Sequence, residues 1–400
     1  MAHAIQSVSA TKILDSRGKP TISVTLATER TSESASVPMG ASTGSREAKV
    51  LDADISIALI QGEVAAALAG KKFDQQTLDD FLIQLDGTPN KARLGAGATL
   101  GVSMAFARAA ATEASQPLYA YLAGLAGTTP ALPCPMFNVI NGGKHAKGGL
   151  SVQEFLFVPT GIATIVERLR AGEACIVALQ ALLEERGEAT NMGDEGGFAP
   201  KLHDTGAALD LLATSVITAG YAVKDIRLSI DAAASSFKKG DVYNLDGSEL
   251  SAGRLCERWE ALAKQYNLLS IEDPFGEEDM GSFAALQARI GAMVVGDDLT
   301  VTNVASIAAA AHAGAVRAVI LKPNQVGTVS ETIAAAQAAR RESIALIASH
   351  RSGETLDTFI ADLSVGLSCE YIKAGAPTRP ERMAKYHRLV AIAAQLEKTA

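Results

Sequence analysis

Apolar and polar positions fall into two regimes along the 400-residue chain. Near the start, residues 5–13 and 21–27 alternate apolar and polar, the mark of half-buried strands. The string DSRGKP between them, residues 15–20, carries the Gly and Pro of a turn and joins the two runs as a hairpin. Residues 37–44 (VPMGASTG) are small, polar and glycine-rich and read as a mobile loop. Helical periodicity then takes over, predicting helices across 46–68, 74–84 and 98–115. A Gly/Thr/Pro break at 124–130 marks a boundary between an N-terminal domain, 1–128, and a C-terminal domain, 129–400.

Beyond the break, short apolar runs alternate with amphipathic helices, and each run stops at a polar residue. RLSID ends at Asp231, LLSIE at Glu272, AMVVGD at Asp297, AVILK at Lys322, IALIASH at His350 and EYIK at Lys373. Most of these ends follow one another at roughly the 25–30 residues that a strand, a helix and two loops consume. Repeated units with polar strand ends predict an α/β fold of the (β/α) barrel kind, with its active site at the C-terminal face of the strands. An open doubly wound sheet would gather its ligand at one switch point instead.

In a closed barrel, Asp231, Glu272 and Asp297 would reach one point. Three carboxylates repel unless a cation sits between them, and all-oxygen donors favour magnesium, manganese or calcium over zinc. Each could instead cap a helix, which Asp often does; three in series favour the metal. Lys322 follows on the next strand. A divalent cation nearby, with Lys373, would lower its pKa and make it a base. His350, Arg351 and Ser352 lie together in SHRSGE, and the Arg fork with a hydroxyl suits phosphate, although a solvated Arg beside a cap reads the same. In MGDEGGFAP, Asp194 and Glu195 precede two glycines; a general acid or an ordinary acidic turn fits there.

Other motifs fall away. LGAGATLG (94–101) lacks the preceding strand and following acid of a dinucleotide site and reads as helix packing. No phosphate-binding P-loop or nucleophile elbow is present. A net charge of −8 gives no general affinity for nucleic acid or anionic membrane. Cys134, Cys175, Cys256 and Cys369 are widely spaced, which argues against zinc or a disulfide framework and suits a reducing cytoplasm. No apolar run approaches a membrane span, and the first residues lack a secretory pattern.

From about residue 13 to 385 the chain resembles the enolase family. The matching strings include DSRGKPT, GASTG, LDGTPNK, NVINGGKHA, QEF, GDEGGFAP, SIEDPF, GDDLTVTN, LKPNQVGT, SHRSGET and KAGAP. The resemblance implies an N-terminal α+β capping domain followed by a barrel of ββαα(βα)₆ order. It further implies a cytoplasmic, dimer-based, magnesium-dependent lyase that dehydrates 2-phosphoglycerate to phosphoenolpyruvate in glycolysis. Asp231, Glu272 and Asp297 would hold one tightly bound Mg²⁺, and a second would arrive with the substrate, helped by the Met39 backbone. Lys322 would be the base, Glu195 the acid with Glu154 beside it, and Lys373 would hold the substrate carboxylate. Arg351 and Ser352 would take the phosphate. Gln153 and His350 would line the pocket, with Gly40, Ala41, Lys144, His145 and Lys147 in loops that close over the substrate.

The departures gather in those loops. Enolases carry serine where this chain has Met39, serine and Asp or Asn where it has Lys144 and Lys147, and Asn where it has Lys201. A lid with added cations raises an alternative: a specialised paralogue that dehydrates an analogue with carboxylated phosphorus, giving carboxyphosphonoenolpyruvate in antibiotic biosynthesis. A non-catalytic binding protein on the same fold is a third reading, which the intact acid, base and metal residues oppose.

Overall fold

The computed structural model describes residues 2–40, 46–143 and 149–399. The N-terminal hairpin forms as its alternation predicts, β1 (His3–Leu14) pairing antiparallel with β2 (Pro20–Thr28) from Leu14 opposite Pro20. The polar β3 (Ser32–Ser36), which the sequence pattern did not reveal, pairs with β2, and β4 (Lys72–Phe73) pairs with β1, giving the order β3-β2-β1-β4.

Helix Ala96–Glu113 packs against this sheet, and LGAGATLG is its first turns and approach. A Cβ on Gly101 would lie 2.4 Å from Val24 Cγ2, so the missing side chain is what lets helix and strand approach. Helix Gln75–Asp86 starts where Asp74 and Thr77 cap each other reciprocally.

The helix expected over 46–68 begins only at Ala53. The Ala48 and Lys49 amides donate to the Gln325 and Asn90 carbonyls at 2.9 and 2.8 Å, so this stretch is tied to other segments and cannot make helical bonds. Asp52 then caps the helix by accepting from the Asp54 amide. A wider π turn at Ile60–Val64 interrupts it.

The second half is a closed eight-stranded barrel. It opens with β5 (Cys134–Asn141) and β6 (Glu154–Val158), antiparallel to each other, then helices Ile165–Glu185 and Thr205–Thr218, then β7 (Arg227–Asp231). A small three-stranded sheet follows, β8 (Lys238–Lys239), β9 (Val242–Leu245) and β10 (Ser248–Ser251); it accounts for the wide step between Asp231 and Glu272. The remaining strands are β11 (Ser270–Glu272), β12 (Met293–Gly296), β13 (Ala318–Leu321), β14 (Ala345–Ser349) and β15 (Tyr371–Lys373), with β15 closing in parallel onto β5. This is the ββαα(βα)₆ order that the resemblance implied.

The barrel's interior explains which residues reach its mouth. Met136, Leu156, Val295, Ala318, Ile320 and Ile347 form a packed cluster separate from the main core. Side chains alternate along a strand, so two positions beyond each inward residue lies another. That parity aims Asn138, Asp297, Lys322 and Ser349 into the lumen above the cluster, and Glu154 likewise on the antiparallel β6. Ser270 and Ser229 hydrogen-bond at 3.0 Å, which puts Glu272 and Asp231 on the same face one step higher.

Candidate active site

The C-terminal mouth of the barrel is a cavity lined by Glu154, Glu195, Asp231, Asp297, Lys322 and Arg351, with Gln153, His350, Ser352 and Lys373 among their neighbours. Carboxylates outnumber cations in it. Glu154 and Glu272 both sit opposite Asp231 in register, on β6 and β11.

Lys373 is the hub of one side. Its Nζ lies 2.7 Å from Glu272 Oε2, 3.0 Å from Glu154 Oε2 and 3.5 Å from Asp231 Oδ2, all deeply buried. Burial opposes its charge, but Glu154, Glu272 and Asp231 together hold the ammonium well above the usual lysine range. Burial, then Asp231, pushes the Glu272 carboxyl well up; burial, then Glu195, does the same to Glu154. Gln153 Nε2 is 3.5 Å from Asp231 Oδ2.

Lys322 pairs with Asp297 across the mouth. Burial favours the neutral amine, yet the adjacent Asp297 charge outweighs it and raises the lysine. The chain alone therefore holds Lys322 as an ammonium; the lowering expected from sequence was that of a divalent cation beside it, with Lys373. A cation taking over Asp297 would remove the cause. Asp297 itself, despite burial, is held below the usual carboxylate range by Lys322.

Several supporting residues escaped the sequence reading. Glu47 Oε2 pairs with Arg351 Nη1 at 3.0 Å, and Asn324 Oδ1 accepts from the same nitrogen at 2.9 Å. Gln325 Nε2 donates to Asp297 Oδ1 at 3.1 Å. Asp273, in the left-handed region at φ 40°, accepts from the Asp297 and Asp298 amides at 3.0 and 2.7 Å. Asp273 and Asp298 stood inside the matched strings SIEDPF and GDDLTVTN, and Asn324 and Gln325 inside LKPNQVGT, each close to a named residue; Glu47 carried no separate signal.

Among the described residues, Asp273, Asp297 and Asp298 are the carboxylates whose oxygens all come within 4.8 Å of one another. The expected trio is spread wider, over three adjacent strands, with Lys373 between two of its members. Burial, then Asp297, pushes the Asp298 carboxyl up to about 7. The Glu272 Oε1 atom is buried without a hydrogen-bond partner. An orphaned buried oxygen in an all-oxygen, anion-rich pocket fits a hard divalent cation.

On the other side, Glu195 Oε2 accepts from Asn138 Nδ2 at 2.9 Å and lies 3.3 Å from His350 Nε2. Burial pushes the His350 ring down to about 4, so it is neutral near pH 7. Ser352 Oγ accepts from Arg17 Nη1 at 3.2 Å, and Arg17 Nη2 reaches the Met39 and Gly40 carbonyls at 3.2 and 3.4 Å. The Met39 carbonyl also takes the Gly353 amide at 2.9 Å, so both its lone pairs are engaged here. Ala41, Lys144, His145 and Lys147 lie outside the described residues.

The family model described as "Enolase, C-terminal TIM barrel domain" matches residues 129–400, and "Enolase, N-terminal domain" matches 5–122. A protein named Enolase from Acidothermus cellulolyticus is 44% identical over 411 residues, covering 99% of this chain and 95% of its own length. Another so named, from Methanocaldococcus jannaschii, is 45% identical over 408 residues, with 98% and 95% covered. A third, from Methanosarcina barkeri, is 44% identical across 100% of this chain and 96% of its own. With both domains matched and a buried carboxylate–lysine cluster at the mouth of the barrel, the chain belongs to the enolase family of hydro-lyases.

Proposed function

We propose that the protein is a cytoplasmic, magnesium-dependent dehydratase that converts 2-phosphoglycerate to phosphoenolpyruvate and water. The observation that carries this reading is the meeting of Lys322 with a buried carboxylate cluster across one barrel mouth, opposite Glu195. Asp231, Glu272 and Asp297 would hold the first Mg²⁺, with Asp298 close by. Bound magnesium supplies the positive charge that makes a carbon beside a carboxylate acidic enough to lose its proton.

The chain's own groups divide the rest. Lys322, released from Asp297, takes the C2 proton. Glu195, oriented by Asn138 and His350 and kept beside Glu154, gives its proton to the departing C3 hydroxyl. Lys373 holds the substrate carboxylate, and Arg351 and Ser352 hold the phosphate, Arg351 aimed by Glu47 and Asn324. The active form is a homodimer or a multiple of dimers.

The alternative of a phosphorus-carboxylated substrate rests on Met39, Lys144, Lys147 and Lys201. Lys201 is exposed, its amide bonded to Glu188 at 3.0 Å, and lends that alternative no support inside the mouth. Purified protein with magnesium should turn over 2-phosphoglycerate, read as rising ultraviolet absorbance of the enol product, and should prefer it to the carboxylated analogue. Preference for the analogue would shift the assignment to the paralogue, and turnover of neither would leave a binding protein.

A further inference from the structure

Arg382, near the start of the C-terminal helix Pro380–Thr399, is 0% exposed and has no part in the chemistry above. Its Nη1 lies 2.6 Å from His350 Nδ1 and 2.8 Å from the Arg351 carbonyl. Its Nη2 reaches the Ser352 carbonyl at 2.7 Å and the Asp194 carbonyl at 3.0 Å. One guanidinium therefore ties the segment carrying Glu195 to the segment carrying Arg351 and Ser352. Gly375 makes room for it: a Cβ there would lie 2.9 Å from Arg382 Cδ and 2.7 Å from the Glu195 carbonyl.

The contact to His350 carries chemical information. A guanidinium donates and never accepts, and it stays protonated in proteins. The 2.6 Å contact thus makes Nδ1 an acceptor, and an accepting ring nitrogen bears no proton. A neutral imidazole has one N–H, which then belongs to Nε2. An imidazolium would turn two donors against each other at Nδ1. The remaining nitrogen, Nε2, is the one that faces Glu195 Oε2 at 3.3 Å, beside the Asn138 amide that donates to the same oxygen.

We infer that Arg382 is a positioning residue that fixes His350 as its Nε2–H tautomer, so that the ring donates to the Glu195 carboxyl and holds the acid in its firing orientation. The inference rests on Glu195 as the acid. It assigns a task to a buried cation that otherwise only stitches loops together. Loss of Arg382 would free the ring to flip or to move its proton to Nδ1, and Glu195 Oε2 would lose the N–H donor that His350 supplies beside Asn138.

Long-range ¹H–¹⁵N spectra of protein labelled at its histidines, six in the chain, read the tautomer directly, with His350→Gln identifying the resonance. The unmutated protein should show His350 as Nε2–H at about pH 7; an Nδ1–H ring or an imidazolium there overturns the inference, whatever the Arg382 variants do. Arg382→Met should lose the single tautomer and drop kcat about 10- to 100-fold, the range for removing a partner that orients an imidazole. Arg382→Lys, which restores a donor, should recover the tautomer and part of the rate. A Met variant with a pure Nε2–H ring would contradict the assignment. Absence of 2-phosphoglycerate turnover would remove the proposed function while leaving the tautomer result standing, so the two failures are separable.

Discussion

Replacing Lys373 with Met removes the cation shared by Glu154, Asp231 and Glu272, at 3.0, 3.5 and 2.7 Å, and keeps the volume. Stripping one partner from a buried ion pair costs about 3–5 kcal/mol. The carboxylates can relieve this only by holding protons, at about 1.4 kcal/mol per pKa unit. Glu154 and Glu272 already sit well above the usual range, burial being the main cause, and without Lys373 they rise further. A carboxyl whose folded pKa is raised holds protons that the unfolded chain has released, so its fold loses stability as pH climbs from about 4.3 through the folded value. The deficit of Lys373→Met should therefore be small near pH 5 and full near pH 8. Magnesium at about a hundred times its dissociation constant should return roughly 2.7 kcal/mol at pH 8. Urea unfolding followed by fluorescence suits the test, because the one tryptophan, Trp259, is buried against the barrel. A variant as stable as the parent at pH 8 without magnesium, or a deficit indifferent to both pH and magnesium, would refute this electrostatic account.

Three further outcomes follow from geometry. Glu47→Gln keeps the shape beside Arg351 but removes the opposing charge, so KM should rise about tenfold, on the order of 1.4 kcal/mol, with kcat changing less; steady-state kinetics would show it. Asp79 is buried between the domains, bonded to the Ser330 amide at 2.8 Å, and burial pushes it up to about 6. Its raised folded value means stability lost as pH rises from about 4 through about 6, so Asp79→Asn should gain roughly 2–3 kcal/mol at pH 8 and nothing near pH 4, read by denaturant titration. Gly375→Ala drives a Cβ into the Glu195 carbonyl at φ 82° and should cost about 1–3 kcal/mol and most of kcat; full activity would show that the acid segment is not pinned there.

What the sequence made legible was set by periodicity. Asp231, Glu272, Asp297, Lys322, His350 and Lys373 stood out because each interrupts an apolar strand at its end, where burial of charge needs a reason. The antiparallel opening did not stand out, since the uniformly buried Cys134–Asn141 reads the same in either direction. Glu47 was hidden inside an apparent helix that long-range hydrogen bonds unwind. Arg382 was invisible for another reason: on an amphipathic C-terminal helix rich in Arg, Lys and Glu, a fully buried arginine has the same signature as a solvated one. Tertiary contacts, not local pattern, decide such positions.

The central claim is the division of labour between Lys322 and Glu195, and exchange of the C2 proton tests it most directly. With magnesium and 2-phosphoglycerate in deuterated water, Glu195→Gln should still exchange the C2 hydrogen while forming little product, and Lys322→Ala should lose both, each dropping turnover by roughly 10²–10⁴. Exchange persisting at the parent rate in Lys322→Ala would contradict the account.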